Sequence, residues 1–139
     1  MDVHDKKTRS FNMSRIRNKN TIPELRVRSM VHKLGYRFRL HSKTLPGKPD
    51  LVLQRHKIVL FVNGCFWHRH TCRNGQHFPK TNVDFWSEKF TNTKIRDHRN
   101  YARLRADGWF IGIIWECETR EQQELIGRIE RLLKPNCNK

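Results

Sequence analysis

Acidic residues are scarce in this chain of 139 residues, because 13 Asp and Glu stand against 29 Lys and Arg and leave a formal net charge of +16. So large a positive excess favours a polyanionic partner, since each neutralised phosphate releases condensed counterions. Charge alone does not separate DNA from RNA, because ribosomal and other RNA-binding proteins have the same balance. We therefore expect a nucleic acid partner and look to the motifs for its type.

Long apolar runs are also missing. No stretch of about 18 apolar residues occurs, so no membrane span and no membrane partner are expected. The segment from Met1 to Asn12 is polar and charged and lacks the apolar core of a signal peptide. The expected location is cytoplasmic.

Cysteines are few, and three of them lie in a suggestive pattern. Cys65, His70 and Cys72 are close together, and Cys117 follows just past the end of a predicted strand. Thiolates and imidazole suit tetrahedral Zn²⁺. The fourth ligand is open on spacing alone, because His68 or His77 could complete the site. Cys117 is the better candidate, since it would fix the irregular loop to the sheet, and Cys137 is expected to be a free thiol. The alternative is that the cysteines are only small buried residues.

Hydrophobic periodicity and capping signals predict one domain with a basic arm. Residues 1–20 are interpreted as a DNA-contacting arm with a helical turn around Met13 to Ile16, and residues 21–139 as a single domain. Thr21 and Glu24 have capping-box spacing, which predicts a helix up to Gly35. The remaining predicted elements are strands at 36–40, 50–53 and 57–62, a basic helix at 84–106, a strand at 109–115 and a helix at 119–133. This order predicts an α/β sandwich around a mixed sheet.

Asp50 is the first candidate for a catalytic metal ligand. It follows Pro49 and starts a strand, and the next strand is the apolar run that ends at Val62-Asn63. Hydrolysis of a phosphodiester needs a cation with hard oxygen ligands and an oriented water. The arrangement resembles a degenerate PD-(D/E)xK nuclease pattern, with Phe61 at the second acidic position and Asn63 at the lysine position. The alternative is that Asp50 only caps a turn.

His68 and Glu24 are further candidates with structural alternatives. A histidine can take a proton from water near neutral pH, so His68 could be a general base, a spare zinc ligand or a phosphate contact. Glu24 has a structural explanation in the capping box itself.

Aromatic side chains stand beside these polar segments. Phe66 and Trp67 lie inside the metal-rich loop, and we favour a role for this pair in stacking on or wedging between bases. For Phe85, Trp109 and Trp115 we favour core packing.

Five separated motifs together resemble the very short patch repair (Vsr) endonucleases over nearly the whole chain. They are Thr8-Arg-Ser-Phe-Asn-Met13, Leu45-Pro-Gly-Lys-Pro-Asp50, Asn63-Gly-Cys-Phe-Trp-His-Arg-His-Thr-Cys72, Phe85-Trp-Ser-Glu-Lys89 and Trp115-Glu-Cys117. The resemblance implies a restriction-endonuclease-like fold and Mg²⁺-dependent nicking of double-stranded DNA 5′ of the thymine in T·G mismatches left by deamination of 5-methylcytosine.

The same resemblance implies roles for individual residues. Asp50 and the carbonyl of Val62 would bind Mg²⁺, His68 would be the general base oriented by Asp97, and Glu24 would support the catalytic water. Structural Zn²⁺ would be held by Cys65, His70, Cys72 and Cys117. The residues implied to contact DNA are Met13 from the minor groove, Phe66, Trp67 and Trp86 from the major groove, and Lys89.

One position departs from the family pattern. Asn63 stands where the family commonly has histidine, and asparagine can donate a hydrogen bond but cannot carry a proton or charge. We expect the reaction class to stand and the rate and pH dependence to be affected. The resemblance also implies a monomer, associated with the nucleoid and linked to a cytosine-5 methyltransferase and repair proteins. The alternatives are a restriction-like enzyme that cuts intact sites and a non-catalytic zinc-stabilised DNA-binding module.

Overall fold

The computed structural model describes residues 21–66 and 68–134, apart from the side chain of Asn74. The predicted arm at 1–20 with its helical turn, Trp67 and the tail that contains Cys137 lie outside the described residues. None of the helices in the described part of the chain is both long and apolar enough to cross a membrane.

Four helices and four strands make up the described chain. In sequence order they are α1 (Ile22–Lys33), β1 (Arg39–Leu40), β2 (Leu51–Leu53), β3 (Ile58–Asn63), α2 (Arg73–Gln76), α3 (Val83–Ala106), β4 (Phe110–Trp115) and α4 (Gln122–Leu133), with single 3₁₀ turns at Gln54–His56 and Glu116–Thr119.

Helix α1 begins and ends where the sequence predicts. The hydroxyl of Thr21 accepts a hydrogen bond from the Glu24 backbone N–H at 3.4 Å, which caps the first turn. Val27, Met30 and Val31 are buried along one face of the helix. Gly35 has a φ of 91°, a left-handed conformation that glycine adopts without the steric cost of a Cβ.

The strands form one mixed sheet in the order β1-β2-β3-β4. The first two pairings are antiparallel, whereas β3 and β4 are parallel, from Ile58 opposite Phe110 to Asn63 opposite Trp115. The carboxyl ends of β3 and β4 therefore lie side by side. As a result, the residues that follow Asn63 meet those that follow Trp115, although they are far apart in sequence.

Apolar side chains fill both faces of this sheet. One cluster joins Ile58 and Leu60 of β3 to residues of α1 and α4, including Val31 and Ile129. A second, smaller cluster joins Val59 and Phe61 to the end of α3 at Leu104. Alternate residues of β3 therefore serve opposite faces, as the period of a strand requires. The predicted α/β sandwich around a mixed sheet is confirmed.

Four details of the prediction are wrong. The metal-rich loop was predicted to be irregular but contains the short helix α2 at Arg73–Gln76, because the Gln76 N–H donates to the Cys72 carbonyl. The strand predicted at 36–40 contains only Arg39–Leu40, because Tyr36 and Phe38 pack against the core without pairing. The last helix begins at Gln122 and not at Thr119, since a 3₁₀ turn comes first. Phe85 was predicted to be core but is 56% exposed, because it lies on the outer face of α3 near its start.

Candidate active site and metal-ligand cluster

A cleft of about 670 Å³ lies beside the carboxyl end of β3 and one face of α3. Four of the five predicted catalytic residues line it, namely Asp50, Asn63, His68 and Asp97. Three cationic side chains lie in the same walls: Lys48, Lys89 and Arg96. The cleft thus combines acidic and amide groups with three cationic side chains that could contact an anionic substrate.

Two hydrogen bonds to β3 hold Asp50 in place. Its Oδ2 accepts a hydrogen bond from the Val62 N–H at 2.7 Å, and its own N–H donates to the Leu60 carbonyl at 3.0 Å. Burial, followed by the neighbouring Glu24, raises the pKa of Asp50 from 3.8 to about 7. A divalent cation would remove this penalty, because it compensates the charge that burial and Glu24 disfavour.

Glu24, the fifth predicted catalytic residue, lies behind Asp50 and is only 2% exposed. Its carboxylate accepts from Arg28 Nη2 at 2.7 Å and contacts His41 Nε2 at 2.9 and 3.0 Å. Donor atoms of Glu24, His41 and Asp50 all lie within 4.8 Å of one another. The backbone N–H of Glu24 donates to the Thr21 cap of α1, while its carboxylate lies beside Asp50. Its role in the catalytic water network stays a prediction.

His68 and Asp97 form a close pair. The Nδ1 of His68 is 2.5 Å from Oδ2 of Asp97, and each side chain is about a quarter exposed. With Asp97 on Nδ1, the Nε2 of His68 is left as the nitrogen that can exchange a proton with a ligand in the cleft. An acid hydrogen-bonded to Nδ1 can orient a histidine for proton transfer at Nε2.

Asn63 is tied to α3 and not to the carboxylates. It is 5% exposed, and its Nδ2 donates to the hydroxyl of Tyr101 at 3.1 Å. Burial raises the pKa of Tyr101 to about 12, so the phenol stays protonated at neutral pH. The pair therefore contributes uncharged hydrogen-bonding groups to the floor of the cleft.

The four predicted zinc ligands form a second cluster. The donor atoms of Cys65, His70, Cys72 and Cys117 lie within 4.8 Å of one another. His70 Nδ1 is 3.8 Å from the Cys65 sulfur and 3.5 Å from the Cys117 sulfur. A tetrahedral site with ordinary Zn–S and Zn–N bonds has S···N edges of about 3.6 Å, so this donor set fits zinc. The parallel pairing of β3 with β4 assembles the cluster, because it places Cys65 beside Cys117.

Neighbouring groups hold this cluster in place. The Cys117 N–H donates to the Cys65 sulfur at 3.4 Å, and Glu116 accepts from the Cys65 N–H at 3.4 Å. Burial raises the pKa of the Cys65 thiol to about 12, whereas the backbone N–H of Gly75 lowers that of Cys72 to about 6. A cation bound there would favour the thiolate form of every cysteine.

Gly75 is required by the packing of the same loop. A Cβ at this position would lie 1.8 Å from the carbonyl oxygen of His70, closer than any side chain allows. The backbone of α2 therefore packs directly on the loop that carries the ligands.

Phe66 packs inward on α3 in the described structure. Its ring lies 5.5 Å from that of Trp86 and 5.2 Å from that of Phe90, both edge-to-face. Trp109 is buried, as predicted, whereas the half-buried Trp115 stacks on His70 with ring centroids 4.3 Å apart. The prediction of core packing is therefore confirmed for Trp109. Trp115 is only half-buried and also packs against a metal-ligand candidate.

Sequence reasoning missed several residues of the cleft. Thr93 and Tyr101 line it together with the predicted Lys89 and Asp97. These four positions are spaced four apart on α3, which places them on one face of a helix. That spacing was the available signal. No sequence signal marks His41, because its contact with Glu24 depends on how the β1–β2 connection folds.

Comparison with known proteins identifies the family. A family model described as DNA mismatch endonuclease Vsr matches residues 1–74. The chain belongs to this family. The matched residues include Asp50, His68 and three of the four clustered metal-ligand candidates.

Similar relatives extend over most of the chain. A type II nicking enzyme of Xanthomonas oryzae pv. oryzae, V.XorIIP, is 48% identical over 128 residues, which cover 92% of this chain and 93% of the relative. V.NmeAIP, a type II nicking enzyme of Neisseria meningitidis, is 41% identical and covers 96% and 94%. The DNA mismatch endonuclease Vsr of Escherichia coli is 42% identical over 124 residues, or 89% and 79%. Membership of the Vsr family makes the chain a DNA endonuclease.

Proposed function

We propose that this Vsr-family chain nicks double-stranded DNA 5′ of the thymine in a T·G mismatch by Mg²⁺-dependent hydrolysis, on a restriction-endonuclease-like fold. The observation that carries the proposal is the cleft, which has Asp50 and the His68–Asp97 pair in its walls. The residues fit the reaction because the cleft supplies a carboxylate for a hard cation, a base for water and positive charge for phosphate.

The cation would be held by Asp50 and the backbone carbonyl of Val62. In an antiparallel ladder the N–H and C=O of one residue face the same neighbouring strand. Because the Val62 N–H donates to Asp50, the Val62 carbonyl is expected at the same edge. When bound, Mg²⁺ supplies charge stabilisation at the phosphate that reacts.

His68 would accept the proton of the attacking water through Nε2, and Asp97 would keep the ring in that orientation. Glu24 would support the water network beside Asp50. Asn63 would act through its amide, with Tyr101 fixing its orientation. Lys48, Lys89 and Arg96 would hold the phosphates on either side of the bond that breaks.

Mismatch choice would come from the apolar side chains that the resemblance to the Vsr endonucleases assigns to DNA contact. Phe66 and Trp86 would insert from the major groove together with Trp67, and Met13 would enter from the minor groove. Unstacking costs least at a mismatched step, so such a wedge favours T·G over paired DNA. In this proposal the enzyme acts as a monomer in the cytoplasm, at the nucleoid, beside a cytosine-5 methyltransferase and repair proteins.

A nicking assay on two duplexes tests the function. The duplexes differ only in one T·G or T·A pair, and each strand carries its own label. We expect nicking to be confined to the thymine strand, to require added Mg²⁺, and to be at least about tenfold faster on the T·G duplex than on the matched duplex. Equal cutting of both duplexes would favour a restriction-like enzyme, and binding without cutting would favour a non-catalytic module. Either result would overturn the proposal.

Asp97→Asn should lower the nicking rate by about a hundredfold while leaving DNA affinity and melting temperature nearly unchanged. The amide keeps the size of Asp97 but can present an N–H to Nδ1 of His68, which rotates the imidazole ring or changes its tautomer. A correctly positioned general base contributes about 10²–10⁴ to the rate, so its loss should be large. Single-turnover rates at saturating DNA measure the effect.

Asp107→Asn is the matched control, because Asp107 is exposed at the end of the same helix and does not line the cleft. An Asp97→Asn enzyme with the rate of the Asp107→Asn control would show that Asp97 does not orient His68 for catalysis.

A further inference from the structure

His41 lies at a strained position of the backbone beside the site. It follows β1 directly, and its φ of 48° is in the left-handed region that few residues other than glycine adopt. Its N–H donates to the Asp50 carbonyl at 3.1 Å. The backbone of His41 is therefore joined to that of Asp50, and its left-handed turn sets the direction in which the imidazole leaves the chain.

The imidazole of His41 reaches both oxygens of a buried carboxylate. Its Nε2 lies 2.9 Å from Oε1 and 3.0 Å from Oε2 of Glu24. Because an ionised carboxylate only accepts, Nε2 is the donor and its N–H is shared between the two oxygens. Arg28, on the same helix as Glu24, donates to Oε2 at 2.7 Å. With Glu24 only 2% exposed, bulk water has little access to replace either donor.

The two donors differ in what they connect. Arg28 is one helical turn from Glu24, so their contact is internal to α1. His41 comes from the segment that leads into Asp50, so its contact joins α1 to the strand edge that carries the metal-ligand candidate. The His41 contact therefore ties the Glu24 carboxylate to the segment that carries Asp50, in addition to the direct side-chain hydrogen bond between Glu24 and Asp50.

We propose that His41 is a positioning residue for nicking, which holds the Glu24 carboxylate in register with Asp50 from the β1–β2 connection. The proposal rests on the proposed function, because it gives Asp50 the cation and Glu24 the water network. His41 contacts neither DNA nor the reacting atoms in this role. Its effect passes through the orientation of Glu24, where an error of about 1 Å can cost a hundredfold in rate.

Two substitutions separate positioning from a role in the turn. His41→Asn keeps a residue type that tolerates positive φ but is too short to reach Glu24. His41→Gln is less suited to the turn but carries an amide N–H at about the reach of Nε2. Positioning therefore predicts that the glutamine variant is the more active of the two, whereas a purely structural role predicts the reverse order.

The measurements are single-turnover nicking of the T·G duplex at saturating Mg²⁺ and the melting temperature of each variant. All rates are taken well below the lowest melting temperature. We expect His41→Asn to lose about tenfold to a hundredfold in rate with little change in melting temperature, and His41→Gln to stay within about threefold of wild type. His32→Gln is the control, because His32 is exposed on α1 away from the cleft. Wild-type rates in both variants, or a glutamine variant as impaired as the asparagine variant, would overturn the proposal.

Binding of Mn²⁺ to the protein alone gives a readout that does not depend on nicking. Displacing a group that orients a metal site typically costs about tenfold or more in affinity. We expect weaker Mn²⁺ binding, followed by electron paramagnetic resonance, in His41→Asn but not in His41→Gln. Equal Mn²⁺ affinities in all three proteins would contradict the role of His41, whether or not the wild type nicks T·G DNA. A wild type that fails to nick T·G DNA would instead count against the proposed function.

Discussion

Asp50→Asn is expected to abolish nicking at ordinary Mg²⁺ while DNA binding is kept. The neutral amide is a poor ligand for a hard cation, and charge stabilisation by a bound metal contributes several kcal/mol to hydrolysis of this kind. The loss should therefore be about a thousandfold or more in rate. Single-turnover nicking with a parallel measurement of duplex affinity gives the two quantities.

The same substitution should stabilise the metal-free fold. Burial raises the pKa of Asp50 from 3.8 to about 7, so the folded protein binds this proton more tightly than the unfolded chain does. Folding stability that depends on this proton is fully present below about pH 4 and is lost as the pH rises towards 7. Asparagine cannot ionise, and its side-chain oxygen can still accept from the Val62 N–H. The melting temperature of Asp50→Asn without Mg²⁺ should thus exceed that of wild type most clearly above pH 7.

Asp107→Asn again serves as the control, since it removes an exposed carboxylate of the same type. Retained nicking in purified Asp50→Asn would mean that Asp50 is only a turn residue. A lower melting temperature above pH 7 would mean that the ionised carboxylate stabilises the free protein and is not held there for a cation.

Cys117→Ser is expected to remove bound zinc and to lower the melting temperature sharply. We propose one structural Zn²⁺ per chain in the cluster of Cys65, His70, Cys72 and Cys117, because their donor atoms converge within 4.8 Å. Structural zinc in small motifs supplies roughly 10–16 kcal/mol of apparent binding free energy, which becomes folding free energy. Elemental analysis and thermal unfolding of the purified variant measure both effects.

Cys137→Ser is the matched control for the same chemical change. We expect it to keep full zinc content and the wild-type melting temperature, because Cys137 is predicted to be a free thiol. Folded, active wild-type protein that contains no zinc would rule out the metal. A Cys117→Ser variant as stable as the control would show that Cys117 is only a buried thiol.

The sequence predicts the three long helices and the central strands well, because their signals are local. The four-residue helix α2 is too short to give such a signal. Thr21 and Gly35 mark the ends of α1, and the apolar run at 58–62 has the character of a strand buried on both faces. The short strand β1 is predicted poorly, since its extent depends on where pairing with β2 stops. The exposure of Phe85 was missed for a similar reason: an aromatic ring at the start of a helix shows nothing of the face on which it lies.

Only part of the candidate site can be predicted from the sequence. Residue types and motif resemblance are enough to select Asp50, His68, Asp97 and the metal-ligand cluster, which the fold then brings together. They could not reveal His41, because its contact with Glu24 arises only when β1 pairs with β2. Tyr101 shares the four-residue spacing of Lys89, Thr93 and Asp97 on α3, a signal that residue type alone does not give. Insertion of Phe66, Trp67 and Met13 into DNA stays a prediction, since Phe66 packs on α3 here and the other two lie outside the described residues.

The parallel pairing of β3 with β4 has a consequence for how the chain folds. Residues 64–109 separate the two strands, so this pairing closes a long loop and should form late, after the local contacts of α1 and the β2–β3 pair. Cys65 is fully buried in the folded chain and accepts from the N–H of Cys117, so we expect its burial to be complete only when Cys117 arrives with the end of β4. Pulsed thiol labelling of Cys65 during refolding would therefore time the completion of the sheet, with no fluorescent probe added to the protein.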